Sequence, residues 1–306
     1  MLRYTLGRLL QFIPTLIGIY VLTFFLMRVL PGDPAQFLEG DRGSTESLAE
    51  TRARLGLDEP LFTQFTIFFT NALNGDLGKS FITQRPVTDS ISQAFPQTAV
   101  LALCAMLIAV GVGIPLGIVA AVTHNSIWDN LTRLIALIGV SIPVFWLGLQ
   151  LQILFGLQLK LLPVSGAGFD NHLVLPALAA SFGMLAVLMR ITRSSLLEVL
   201  TQDYIRTARG KGLGFGRISR RHALTNALLP ILTVWGTGLA SLLSGTLLVE
   251  VIFSWPGMGR LLVDAIGARD YPSVQGLVIT FAAIYALLNL LVDLLYPLVD
   301  PRIAYP

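Results

Sequence analysis

An all-α, polytopic membrane protein is the fold class this sequence predicts, and three observations predict it. Of its 306 residues, 54% are hydrophobic and only 13% are charged. The mean hydropathy of +0.72 exceeds what the core of a soluble domain requires. Apolar windows long enough to cross a roughly 30 Å hydrocarbon layer as a helix recur six times, near residues 9–30, 98–122, 134–157, 173–192, 228–253 and 275–299. Lysines and arginines, finally, gather in particular short connections, the pattern that orients a chain across a bilayer.

The first window lies in MLRYTLGRLLQFIPTLIGIYVL. It has the look of a signal peptide, but the apolar run is too long and no small-residue cleavage site follows, so a retained first helix is expected in region 1–30. Arg3 and Arg8 precede it and mark the N-terminus as cytoplasmic. The segment 31–95 is acidic on balance: Asp33, Glu39, Asp41, Glu46, Glu50, Asp58, Glu59, Asp76 and Asp89 stand against Arg42, Arg52, Arg54, Lys79 and Arg85. That balance assigns it to the outer side. Within it, Ser44 or Thr45 followed by Glu46 is helix-start chemistry. LFTQFTIFFTNAL is too short to span and reads as a helix on the outer membrane surface. A five-helix core is expected over 96–306, and an even number of spans returns the C-terminus to the cytoplasm.

Helices in lipid associate by close packing, because lipid tails are as apolar as leucine. Gly113 and Gly117 form one small-residue face, and Gly236, Ala240 and Ser244 form another. Glu250 and Asp293 are acidic groups in or near the last two spans, where a charge is costly. Their positions near the ends favour pairing or interfacial solvation over a proton relay.

Catalytic and cofactor chemistry finds little support. GDLGKS resembles the end of a phosphate-binding loop, but that motif needs a glycine at position 73, which is Leu73. His124, His172 and His222 stand in three different loops, without metal-ligand spacing. The single cysteine, Cys104, lies in an apolar run and forms no intrachain disulfide. An ion-coupled secondary transporter would use intramembrane carboxylates and often internal repeats, and an enzyme a constellation at the interface; only scattered residues suit either.

The densest basic stretch is DYIRTARGKGLGFGRISRRHALTNALLP, inside a connection at about 193–227 that carries Arg193, Arg206, Arg209, Lys211, Arg217, Arg220 and Arg221. Leu196, Leu200, Tyr204 and Ala208 recur at helical spacing, opposite Glu198, Gln202, Arg206 and Arg209, which predicts one amphipathic helix ending near Ala208. Gly210 and Gly212 then permit a sharp reversal. Such a stretch could hug anionic lipid, or it could dock a cytosolic partner, since small residues allow close approach and arginines supply charge-assisted contacts.

This stretch resembles the cytoplasmic docking loop of binding-protein-dependent ABC importer permeases, in the peptide, nickel and glutathione permease family. Further matches run along the chain: LPGDPA, LGLDEPLFTQF, NGDLGKS, RPVTDSI, SIPVFWLG, LLPVSG, VEVIFSWPGMGRLLVDAI, RDYPSVQG and the terminal DPRI. The wider superfamily writes the loop as Glu-Ala-Ala, three residues, Gly and a distal Ile-x-Leu-Pro. Those positions fall here on Arg206, Thr207, Ala208 and Gly212, ending at Leu229 and Pro230, so the glutamate is missing and the spacing to the proline is longer. The resemblance implies a type I importer permease bundle with Tyr204, Arg206, Thr207, Ala208, Arg209, Lys211, Gly212, Leu213 and Arg217 as the docking loop. It implies a bacterial inner-membrane location, a second homologous permease subunit, two cytoplasmic ATPases that use ATP and magnesium, and an extracytoplasmic solute-binding protein. The chain itself is expected to hold no cofactor, to catalyse nothing, and to contact lipid but no nucleic acid. Di- or oligopeptides lead as cargo, with glutathione and nickel chelates behind.

Overall fold

The computed structural model describes residues 2–29, 32–40, 44–218 and 223–299. Among them the main elements, in order, are α1 (Leu2–Val29), α2 (Pro34–Glu39), α3 (Thr45–Arg54), α4 (Leu61–Leu73), α5 (Val87–Val122), α6 (Ile127–Ser141) and α7 (Val144–Leu151). There follow α8 (Val174–Leu200), α9 (Asp203–Gly210), α10 (Phe215–Ile218), α11 (Leu224–Gly245), α12 (Leu247–Ile252), α13 (Met258–Gly267) and α14 (Tyr271–Val299).

Among the described residues, four stretches are long and apolar enough to cross a membrane: Val87–Val122, Asn171–Leu200, Leu224–Leu243 and Tyr271–Val292. The window expected at 134–157 is not one straight helix. Its halves, Ile127–Ser141 and Val144–Gln158, are bent by 105°, so they form a fifth span only if the broken pair crosses together. The cause is local. Pro143 has no N–H to continue the α6 ladder, and it drives Ile142 into an extended conformation at φ −79°, ψ 125°. In α1 the described apolar part, Ile13–Val29, is shorter than these four.

The chain divides into two compact units, one built on Ala99–Trp255 with the end of α14 from Leu287, the other on Leu6–Thr98 with Pro256–Ala286. In the first, α8 is the hub against which α6, α7 and α11 pack. Close approach rather than bulk makes this possible. A Cβ on Gly113 would lie 2.7 Å from the carbonyl oxygen of Leu185, and one on Gly117 would lie 2.6 Å from that of Met189. Gly139 meets Ala186 in the same way, at 2.6 Å. Between α11 and α14, a Cβ on Gly236 would fall 2.5 Å from Val292, and Ala240 is fully buried. Only a hydrogen fits at these glycines, and the helix axes come together accordingly. The side chain of Ser244 lies outside the described residues, as does that of Asp293.

Of the two expectations for Glu250, pairing and interfacial solvation, the structure shows pairing, with the residue fully buried on α12. Its carboxylate accepts a hydrogen bond of 3.1 Å from the Thr246 hydroxyl, so pairing replaces water.

In the second unit α4 lies against α1. Phe65 sits 5.2 Å from Phe24 and 6.0 Å from Tyr20 between ring centroids, and Arg28 donates to Gln64 Oε1 at 2.8 and 3.0 Å. Gln64 in turn donates to the carbonyls of Leu57 and Glu59, closing the turn that leads into α4. Ser44 caps α3, its hydroxyl accepting from the Ser47 amide at 3.1 Å. The GDLGKS stretch is an anchored turn. The Ser80 hydroxyl donates to buried Asp270 at 2.5 Å, and the same carboxylate accepts from the Phe81 amide at 2.9 Å and the Ser273 hydroxyl at 2.7 Å.

Candidate functional site

The basic stretch folds as a short helix laid on an apolar bed, and the break before it was not expected. At the end of α8 the Thr201 hydroxyl donates to the Glu198 carbonyl at 2.7 Å, and Gln202 turns extended at φ −69°, ψ 150°. A new helix, α9, starts at Asp203. This resets the helical phase, which corrects the single-helix reading of 196–208. Ile205 and Ala208 are the buried positions of α9, while Tyr204 is 43% exposed. Ile205 and Ala208 join Leu196, Ala121, Ile218, Ala223 and Ala227 in one apolar cluster. Tyr204 instead accepts a hydrogen bond of 3.1 Å from the Asn226 side chain, linking α9 to α11.

The opposite face of α9 is cationic and open. Arg206, Thr207, Arg209, Lys211 and Gly212 are all exposed. Asp203 in the first turn and Arg209 in the last both complement the helix dipole. The Arg206–Asp203 pair, at 3.6 Å with both groups largely in solvent, adds little rigidity.

Gly212 ends the helix in a way that the residue type explains. The Gly212 amide donates to the Arg209 carbonyl at 2.9 Å and the Leu213 amide to the Ala208 carbonyl at 3.3 Å, the paired bonds of a Schellman stop. Gly212 has φ +78°, a left-handed conformation that disfavours any side chain. Leu213 then packs on the cluster that holds Ala208, the apolar contact this motif usually carries. A Cβ at Gly212 would meet nothing within 4 Å, so within this chain the constraint is conformational and not steric.

Arg217 lies in α10, with its side chain outside the described residues. Arg220, Arg221 and His222 also fall outside them. Arg193 does not belong to the exposed basic face at all. It is part of α8, and it grips Asp129 through two hydrogen bonds, of 2.6 and 2.9 Å. Asp129 is fully buried, accepts from the Asn125 amide at 3.0 Å, and has His124 at 3.3 Å and Arg133 at 3.7 Å. Sequence reasoning had counted Arg193 and His124 separately and missed this clamp. A signal was present: Ser126 followed by Asp129 is a helix-capping pair, and the Ser126 hydroxyl accepts from the Asp129 amide. Nothing local, however, names a partner 64 positions away on another helix.

His172 pairs with Asp170 at 2.7 Å. Among the described residues no group of three or more histidine, cysteine or acidic side chains is placed to hold a metal ion.

The chain thus presents an exposed cationic plate, seated on an apolar bed that includes the end of the hub helix. Comparison with known proteins gives this geometry a context. Residues 113–305 match the family described as the inner membrane component of binding-protein-dependent transport systems, and residues 1–102 match the N-terminal family of such membrane components. The dipeptide transport system permease protein of Escherichia coli K12 is 44% identical, with 100% of this chain and 99% of that protein covered. Its counterpart in Alkalihalophilus pseudofirmus is 42% identical over the full length of both. The glutathione transport system permease protein of Escherichia coli O6:H1 is also 42% identical over the full length of both. Among solved structures, the inward-facing MetNI methionine ABC transporter matches with a TM-score of 0.57 at 19% identity, covering 69% of this chain and 96% of that one, a likeness of fold.

Proposed function

Because this chain belongs to the family of inner membrane components of binding-protein-dependent transport systems, we propose that it is a permease subunit of an ATP-driven importer for di- or oligopeptides. The observation that carries the cargo class is the 42–44% full-length identity to dipeptide permeases. Permease subunits of this family form the pathway and leave ATP hydrolysis to separate subunits. In this reading six spans place both termini in the cytoplasm, and the segment 31–95 faces outward to meet the solute-binding protein. A second homologous permease completes the pathway. Two ATPases, with ATP and magnesium, work from below.

The docking site for those ATPases is the exposed face of α9 and its stop, with Tyr204, Arg206, Thr207, Arg209, Lys211 and Gly212 as its contact residues, Ala208 and Leu213 as the apolar seat beneath them, and Arg217 further along on α10. The physical support is that this face is exposed and cationic while its underside is bolted by Ile205 and Ala208 to the cluster that contains Leu196 of α8. A push on α9 is therefore passed by this packing to Leu196 of the hub helix, as a rigid-body switch requires.

The test is reconstitution with the partner subunits and binding protein in sealed vesicles, followed by ATP-dependent uptake of labelled di- and tripeptides recovered unchanged. Glutathione is the second reading, supported by the 42% identity to a glutathione permease. Preferential uptake of glutathione over simple dipeptides would select it. Uptake driven by an ion gradient without ATP would sink both.

A further inference from the structure

A second polar feature lies far in sequence from α9. Where α13 begins, a cleft of about 390 Å³ opens between one face of α5, with Gln93 and Gln97, and one face of α13, with Arg260 and Asp264. The volume falls within the range of small-molecule sites. The cleft is a built feature. The Met258 amide donates to the Thr98 hydroxyl at 2.8 Å, a buried bond between residues 160 apart, and it pins the first turn of α13 to α5. Gly257, at the floor, is buried.

The lining is unusual for so apolar a chain: two side-chain amides about one turn apart on α5, and opposite charges one turn apart on α13. Arg260 stands in the first turn of α13, where the helix dipole adds to its positive field. Asp264 follows one turn later, about 5.4 Å along the axis. The two charges touch only loosely, at 3.8 Å between Arg260 Nε and Asp264 Oδ2, with 40% and 68% of their side chains exposed. Such a half-exposed pair contributes little by itself. A short peptide offers charges complementary to both groups. It carries a carboxylate and an ammonium roughly 5–7 Å apart in a dipeptide, with amide groups between that suit glutamine side chains.

We propose that this cleft recognises the zwitterionic backbone of a short peptide, with Arg260 taking the α-carboxylate, Asp264 the α-ammonium, and Gln93 and Gln97 the amide groups. The proposal rests on the peptide-permease reading above and adds a place on this chain where cargo is sensed. It requires no particular side chains on the peptide, so it suits a transporter that accepts many sequences.

The experiment uses the whole importer in proteoliposomes, supplied with a dipeptide, its C-terminal amide and its N-acetyl form, each at concentrations that saturate the binding protein. Wild type is expected to favour the free dipeptide over each blocked form by roughly tenfold in uptake kcat/KM, the scale of one charge-assisted contact in a half-exposed site. Arg260→Gln should abolish discrimination against the amide alone, and Asp264→Asn discrimination against the N-acetyl form alone. Arg260→Lys, which keeps the charge, should retain most of the carboxylate preference. Wild-type discrimination in both neutral variants would overturn the proposal while leaving the permease reading intact. Unchanged discrimination with weakened binding-protein affinity would overturn it too, and would make the cleft a docking surface. Absence of any peptide uptake by wild type would instead refute the peptide reading, and the proposal with it.

Discussion

Gly212→Val isolates the mechanical role assigned to the end of α9. The residue sits at φ +78° and closes the helix through the bonds Gly212 to Arg209 and Leu213 to Ala208. An L-residue with a Cβ pays about 1–2 kcal/mol in that region, and a β-branched one is strained by roughly 2–3 kcal/mol. No steric term within the chain adds to this, since a Cβ would meet nothing within 4 Å. At about 1.4 kcal/mol per tenfold change, the native loop geometry should lose roughly 30- to 140-fold in relative population. The side chain of asparagine tolerates the left-handed region, so Gly212→Asn should cost well under a tenfold change, with Gly212→Ala between. The assay is co-purification of the ATPases and binding-protein-stimulated ATP hydrolysis at matched membrane abundance. Insertion should be unaffected, because Gly212 lies outside the apolar spans. The expected order of coupled activity is Gly, Asn, Ala, Val. Normal coupling in the valine variant would refute the reasoning, and an asparagine variant as poor as valine would show that the partner's surface, not backbone conformation, sets the requirement.

For topology, with Cys104 replaced, a cysteine at Arg85 should react with an impermeant thiol reagent in intact spheroplasts, whereas one at Arg217 should react only after the membrane is opened; the reverse labelling would end the six-span orientation. In α5, Gly117→Val would place a Cβ 2.6 Å from the Met189 carbonyl oxygen and 2.7 Å from Thr192, while Gly111 has nothing within 4 Å. Thermal unfolding in detergent should therefore show a loss of about 1–3 kcal/mol for Gly117→Val and little change for Gly111→Ala. Similar melting of the two would show that the α5–α8 approach is not tight. Replacing Asp129 by leucine strands Arg193 in a site where its side chain is only 19% exposed, and should cost up to about 3 kcal/mol. Adding Arg193→Met should recover most of that loss; no recovery would mean that the clamp matters through His124 or Arg133 instead.

The class of this protein, the approximate number of apolar windows and the stretch around Gly212 were legible in the chain itself, because each rests on local quantities. Bilayer thickness sets a window length that can be counted, and Gly212 stops α9 through bonds confined to residues 208–213. The small-residue face of Gly113 and Gly117 could also be read from spacing, though not its partner, which is the backbone of α8 at Leu185 and Met189. Four features needed the tertiary structure. The pause at Thr201 and Gln202 shifts the buried phase from Tyr204 to Ile205, and helical periodicity read straight through it. Arg193 meets Asp129 across 64 residues, and Ser80 meets Asp270 across 190. Glu250, placed by hydropathy near a wet interface, is fully enclosed. For the spanning helices the reason is the solvent. In water an amphipathic pattern announces which face of a helix turns inward, but helices that face lipid on one side and protein on the other are apolar on both, so only the packed structure decides which polar groups meet and which glycines carry a contact.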